Sequence, residues 1–208
     1  DRLMTGPLEK TNDAYAIAKI AGIKLCQSYR TQYGADFISV MPCNLYGPGD
    51  YYDALRSHVI PAMLMKFGTA VQNGDTHVTL WGTGTPLREF LYVDDCAEAI
   101  LQAATHYTDT DTGSGDMSHI NIGSGHEISI RDLAQMIASI TGFDGDITFD
   151  ASMPDGVARK IMDSRKINAL EWHPATPLED GIKLAYKDYK DRHASVQTKT
   201  AKTQNGAT

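Results

Sequence analysis

The run from Thr11 to Pro42 restricts this chain more than any other stretch. Thr11, Asn12 and Asp13 are capping residues, and the small and apolar residues Ala14, Ala18, Ala21, Leu25 and Tyr29 follow at steps of three and four. That spacing predicts a helix reaching about Gln32 with this stripe buried, ended at Tyr33-Gly34. Residues 36–41 are then a short apolar run of strand type, closed by Pro42. A capped helix followed at once by a buried strand is half of a βαβ unit. The chain is therefore expected to begin inside an α/β fold.

The alternation continues downstream. Residues 44–49 (Asn-Leu-Tyr-Gly-Pro-Gly) read as a turn-rich loop beyond the C-terminal end of that strand, where open α/β sheets place ligands. A second helix starts at His58. Residues 78–81 and 88–93 read as strands, the first ended by Gly82-Thr-Gly84, and Asp94-Asp95 is expected to cap a helix to about Tyr107. A short strand covers 120–122, Ser129 caps a helix over 130–141, residues 146–150 form an edge strand, and an amphipathic helix runs over 178–193. Residues 1–10 and 108–118 read as loops, and 195–208 as a disordered tail without periodicity.

Composition narrows the partners. Nineteen basic against 26 acidic residues give a net charge of −7, which argues against nucleic acid or an anionic membrane as a general partner. No apolar run approaches the roughly 20 residues that span a bilayer, and no charged-then-apolar signal segment opens at Asp1. Cys26, Cys43 and Cys96 show neither disulfide-framework nor zinc spacing, so a cytoplasmic protein with reduced cysteines and no metal is expected.

Tyr15 and Lys19 stand four apart in the first helix, on one face, one turn apart. Most such pairs are solvated helix decoration. They also have a chemical use: a tyrosine can protonate a carbonyl oxygen while hydride reaches the carbonyl carbon. Free tyrosine has a pKa of about 10, and a nearby ammonium favours the phenolate. Bringing that value to roughly 7 takes about 4 kcal/mol.

The motifs accumulate in one order: Tyr15/Lys19, then Pro42-Cys-Asn-Leu-Tyr-Gly-Pro48, Ser57-His-Val-Ile-Pro61, Trp81-Gly-Thr-Gly-Thr-Pro-Leu-Arg-Glu-Phe-Leu91, Asn121-Ile-Gly-Ser-Gly125 and Pro154-Asp-Gly-Val-Ala-Arg-Lys160. Over about residues 6–190 the chain resembles the extended short-chain dehydrogenase/reductase family of nucleotide-sugar enzymes. Within it, it resembles the GDP-L-fucose synthase branch of 3,5-epimerase/4-reductases acting on GDP-4-keto-6-deoxymannose. The resemblance implies a parallel, doubly wound Rossmann fold that binds NADP, beside a smaller α/β substrate-binding domain. Residues 1–50 and 88–125 would belong to the former, 51–87 and 126–194 to the latter. It also implies a GDP-sugar substrate and a homodimer in which the Tyr/Lys helix takes part.

The resemblance assigns roles position by position. Tyr15 would protonate the 4-keto oxygen, and Lys19 would lower its pKa and bind the nicotinamide ribose. Pro42, Cys43, Asn44 and Leu45 match the loop against the nicotinamide end of NADP, with Cys43 where the family commonly has threonine or another small residue. His58 matches an acid of the epimerisation that also lies in the cofactor site; an isolated histidine at a helix start is otherwise a polar cap. Imidazole suits the role because it exchanges protons near neutrality. Lys66, Arg88 and Lys160 would hold the diphosphate, Lys66 standing where the family usually has arginine, while Trp81 and Asp155 would contact substrate. For Trp81 ordinary core burial stands as the alternative, and for Asp155 a routine Asp-Gly turn. Two other readings stay open: a nucleotide-sugar 4-epimerase or 4,6-dehydratase on the same scaffold, and a remnant that binds a nucleotide sugar without chemistry. The family's Gly-x-x-Gly-x-x-Gly turn, its catalytic serine or threonine, and its second epimerisation acid, a cysteine, match nothing here. The sequence therefore looks like the C-terminal two-thirds of such an enzyme, expected to be inactive alone.

Overall fold

The computed structural model describes residues 6–10, 12–53, 56–107 and 119–204, with the backbone alone over 193–204. The cap candidate Thr11, the loop expected at 108–118, and residues 1–5 and 205–208 of the expected terminal segments lie outside the described residues. Helices α1 (Asp13–Tyr33), α2 (Val59–Asn73), α3 (Val93–His106), α4 (Ile130–Thr141), α5 (Arg165–Asn168) and α6 (Leu178–Gln204) alternate with eight strands. These are β1 (Ser39–Pro42), β2 (Asn44–Tyr46), β3 (His77–Trp81), β4 (Leu87–Tyr92), β5 (His119–Ile122), β6 (Glu127–Ser129), β7 (Asp146–Asp150) and β8 (Arg159–Lys160).

The expected α/β class is realised. β1 pairs with β5, β2 with β4, β3 with β7 and β4 with β8, all parallel; β6 runs antiparallel to β4. Two apolar cores form. One joins Ile60, Leu64 and Phe67 of α2 to Leu133 and Ile137 of α4 and Ile182 of α6. The other gathers Ile120 and Ile122 of β5, Ala99 and Ala103 of α3, and Ile167 and Trp172. Strand β4 lies between them. Successive side chains of a strand point to opposite faces, so Phe90 and Tyr92 enter the first core while Leu91 enters the second.

Local chemistry explains the elements that match expectation. Ser129 caps α4, its hydroxyl accepting from the Asp132 amide at 3.0 Å. Gly34, Gly74 and Gly142 end α1, α2 and α4 in left-handed conformation.

Several expectations are corrected. In α1 the stripe Ala14, Ala18, Ala21, Leu25 and Tyr29 faces solvent, and the face turned inward carries Ala16, Ile20, Ile23 and Gln27. Both stripes satisfy helical spacing; tertiary contacts choose between them. Asn44 and Leu45 lie on a strand because β4 supplies a partner for three residues too few to show a period. Helix α3 starts one residue before Asp94, with Tyr92 in the cap position. Asp95 is buried instead and accepts from the amide and hydroxyl of Thr176, both at 3.0 Å. The expected tail at 195–208 is helical to Gln204, since no glycine or proline interrupts α6 over that stretch.

Candidate active site

The substrate-binding candidates of the sequence converge along one rim. Trp81 ends β3 with 57% of its surface exposed, so core burial does not account for it. Lys66 reaches across from α2, its Nζ 5.9 Å from the Trp81 ring centre and donating to Thr79 O at 3.2 Å. At the next residue the chain turns through Gly82, φ 80°, so close to the Asp155 carboxylate that a Cβ would collide with it. That carboxylate accepts from the Thr83 amide at 2.7 Å and the Thr83 hydroxyl at 2.8 Å. The Asp155 carbonyl accepts from Arg88 at 3.2 Å, and Arg88 also donates to Leu87 O at 2.8 Å. Lys160 stands opposite Arg88 in the β4–β8 register. Partial burial lowers the Arg88 pKa, with Asp155 pulling the other way, and a guanidinium remains cationic at neutral pH. The rim thus sets an exposed indole beside three cations. That arrangement suits a flat base stacked on a ring and a diphosphate held by charge.

Tyr15 and Lys19 are exposed together on α1, Lys19 Nζ 5.4 Å from the Tyr15 ring centre. No hydrogen bond joins either to the 42–45 segment among the described residues. In that segment Cys43 is buried and Leu45 packs on the second core, so their side chains face inward. Pro42 is exposed at the end of β1, and the Asn44 amide donates to Glu89 O at 2.8 Å. His58 occupies the cap position of α2, but its exposed ring makes no capping hydrogen bond. The polar-cap alternative is therefore not realised, and the imidazole is available for chemistry.

Two residues escaped the sequence reading. Glu89 is fully buried, and its two carboxylate oxygens accept from the amides of Gly125 at 2.7 Å and Met162 at 2.8 Å. A charged residue at the start of the apolar run Phe90-Leu-Tyr-Val93 was the available signal. Arg159 makes a two-pronged pair with Glu127 at 2.7 Å for each contact and so ties β8 to β6.

The Cys43 thiol is buried. Burial, with Glu89 adding to it, raises its thiol from 9.0 to about 12. Unfolded, it ionises near 9.0; folded, it does so only near 12. Its contribution to stability is thus complete below the unfolded value and lost as pH climbs through that interval. Burial raises Tyr46 and Tyr52 as well, which acts in the same direction. Urea midpoints are expected to fall progressively above pH 9.0, and Cys43→Ser to make that fall shallower. Equal slopes in the two proteins would refute the assignment.

Residues 1–123 match the model of the NAD dependent epimerase/dehydratase family. The chain belongs to that family. Among relatives of this epimerase/dehydratase family chain, a GDP-L-fucose synthase of Sinorhizobium fredii is 50% identical over 189 residues, covering 91% of the chain and 58% of that protein. A probable GDP-L-fucose synthase of Oryza sativa is 47% identical over 195 residues, covering 94% and 57%. The chain therefore spans somewhat over half the length of these relatives. Among solved structures, a GDP-L-fucose synthetase from Naegleria fowleri bound to NADP superposes with a TM-score of 0.81 at 32% identity, over 92% of this chain and 60% of that one. The Rossmann-type α/β fold of the family chain follows from these matches.

Proposed function

We propose that this chain carries the substrate-binding and proton-transfer parts of an NADP-dependent enzyme converting GDP-4-dehydro-6-deoxy-D-mannose to GDP-L-fucose. The observation that carries the proposal is the rim, where Lys66, Trp81, Arg88, Asp155 and Lys160 are neighbours despite lying up to 94 positions apart in sequence. The relatives carry the name GDP-L-fucose synthase, which supports it.

In this reading the guanine base rests against Trp81 and the diphosphate against Lys66, Arg88 and Lys160. Protons beside a ketone are acidic because the enolate spreads its charge. Inversion at C3 and C5 takes two groups, one that removes the proton and one that returns a proton on the opposite face; His58 is the acid of the pair, and its partner, the family's cysteine, matches nothing in these 208 residues. Tyr15 then gives its proton to the 4-keto oxygen, and Lys19, one turn away, stabilises the phenolate left behind. Of NADP, the residues present fit the nicotinamide and its ribose, through the exposed Tyr15/Lys19 pair and the 42–45 segment. These 208 residues contain no glycine-rich turn for its pyrophosphate. When bound, NADPH would supply the hydride to C4.

The division into a cofactor unit (1–50 and 88–125) and a substrate unit (51–87 and 126–194) remains part of the proposal; the cores cross it, with Tyr46, Phe90 and Tyr92 in the first and Ile167 and Trp172 in the second. The outward stripe of α1, with Ile17 also exposed, supports a homodimer through that helix. Three free cysteines agree with a cytoplasmic location. No described helix is long and apolar enough to cross a membrane.

Calorimetry on the 208-residue chain is expected to register GDP and no tight NADPH. In the full-length protein, NADPH and the 4-keto sugar should yield GDP-L-fucose, and His58→Gln should abolish epimerisation while sparing cofactor binding. Undiminished epimerisation by His58→Gln would remove its role, and a chain blind to GDP would remove the proposal.

A further inference from the structure

The segment from Gly47 to His58 joins β2 to α2. Its start adjoins Asn44 and Leu45, and its end is His58. Among the described residues it pairs with no strand, and Gly47-Pro48-Gly49 gives it little side chain with which to pack. Helix α6, more than 130 positions downstream, grips it instead. The Gly49 amide donates to Asp188 Oδ2 at 3.0 Å. The other carboxylate oxygen of Asp188 accepts from Arg192 Nε at 3.0 Å, and Arg192 reaches back to donate to Asp50 O at 3.2 Å. Two consecutive loop residues and one turn of helix thus close a ring of hydrogen bonds. Beside it, Tyr52 donates to Ala185 O at 3.0 Å and sets its ring edge against Tyr189, centres 5.1 Å apart. Burial and Asp188 together keep the Tyr52 hydroxyl protonated, as a donor must be.

An Asp–Arg pair four apart on a helix is ordinarily decoration worth a few tenths of a kcal/mol. This pair differs because each member also holds loop backbone. The loop continues through its own bonds, Arg56 N to Asp53 Oδ1 at 2.9 Å and Ser57 Oγ to Tyr51 O at 2.6 Å, and arrives at His58. His58 is a cap residue, half outside its helix, with ψ 172°. Its carbonyl accepts the first helical bond from Ala62 N at 3.0 Å, while its amide side is set by the chain that enters it.

We propose that Asp188, Arg192 and Tyr52 are positioning residues for His58: they lock the 49–52 span onto α6 and so fix where the imidazole is presented. This role rests on the epimerase reading above. Holding a proton-transfer group in reach of the carbon it serves affects turnover more than ground-state binding. The nucleotide is bound at the rim by other residues.

The test uses deuterium wash-in at C3 and C5 of the 4-keto sugar, alongside amide exchange over residues 49–53 and 56–58. In Asp188→Asn the loop amides should exchange faster. The wash-in kcat should fall about tenfold, with KM for the GDP-sugar and the affinity for GDP unchanged. Arg192→Lys, which keeps the charge, should retain more activity than Arg192→Gln. If Asp188→Asn does not fold, Tyr52→Phe asks the same question while keeping the ring. Wash-in that is unchanged while the loop amides open would overturn this role and leave the function standing. So would a loss that appears in KM and GDP affinity instead of kcat. A wild-type protein without wash-in would overturn both.

Discussion

Glu89→Gln is expected to lower the stability of the chain by about 3 kcal/mol, the largest single effect on folding foreseen here. The carboxylate is fully buried and accepts from two amides of separate segments, Gly125 and Met162. An amide side chain of the same shape has only one acceptor oxygen. Its nitrogen would face a backbone N–H, leaving two donors opposed in the interior. Hydrogen bonds to a charged group contribute roughly 1.5–3 kcal/mol each, and a stranded buried donor costs the full desolvation of that group. For a chain of this size the loss amounts to roughly 6–12 °C in Tm, readable by calorimetry or urea titration. The damage should also be local to β4, since Glu89 O holds the Asn44 amide at 2.8 Å and Gly123 approaches the carboxylate too closely to carry a Cβ. An unchanged unfolding midpoint would show that the carboxylate is not the tie between these segments.

Arg88→Met is expected to weaken GDP binding by ten- to a hundredfold. Two of the five guanidinium donors are spent on Leu87 O and Asp155 O, which fixes the plane of the group. In the proposed site the remaining donors would form a pre-oriented fork for a phosphate, and charge-assisted bonds of this kind are worth roughly 1.5–3 kcal/mol. Lysine has no planar fork to be held by two carbonyls, so Arg88→Lys should recover little of the affinity. The comparison to make is calorimetric, at two salt concentrations, since a charge-based contact loses affinity as ions are added. Equal GDP affinity for Arg88→Met and the parent protein would take Arg88 out of the site.

Much of the fold was legible where the determinants are local. Helix α4 was readable at both ends because Ser129 caps it and Gly142 turns it off, each through contacts within one turn. Strands β3, β5 and β7 were readable because four or five residues suffice to show an apolar run between turns. Strands β2, β6 and β8 were not, since two or three residues carry no period and exist as strands only through β4. The same limit hid the true inner face of α1, where two stripes have helical spacing and the chain elsewhere selects one.

The site divides in the same way. By itself the sequence determined the chemical types and their order: Tyr15 one turn from Lys19, His58 at a helix start, and cations and an indole spread over residues 66–160. Spacing along a helix is a local property and needs no partner. Only the tertiary structure decided that Lys66, Trp81, Arg88, Asp155 and Lys160 share one rim, that Cys43 faces a core, and that α6 holds the loop leading to His58. Those relations join residues tens to more than a hundred positions apart. They are set by which strands pair with β4 and how the two cores close around it, and no local pattern encodes that choice.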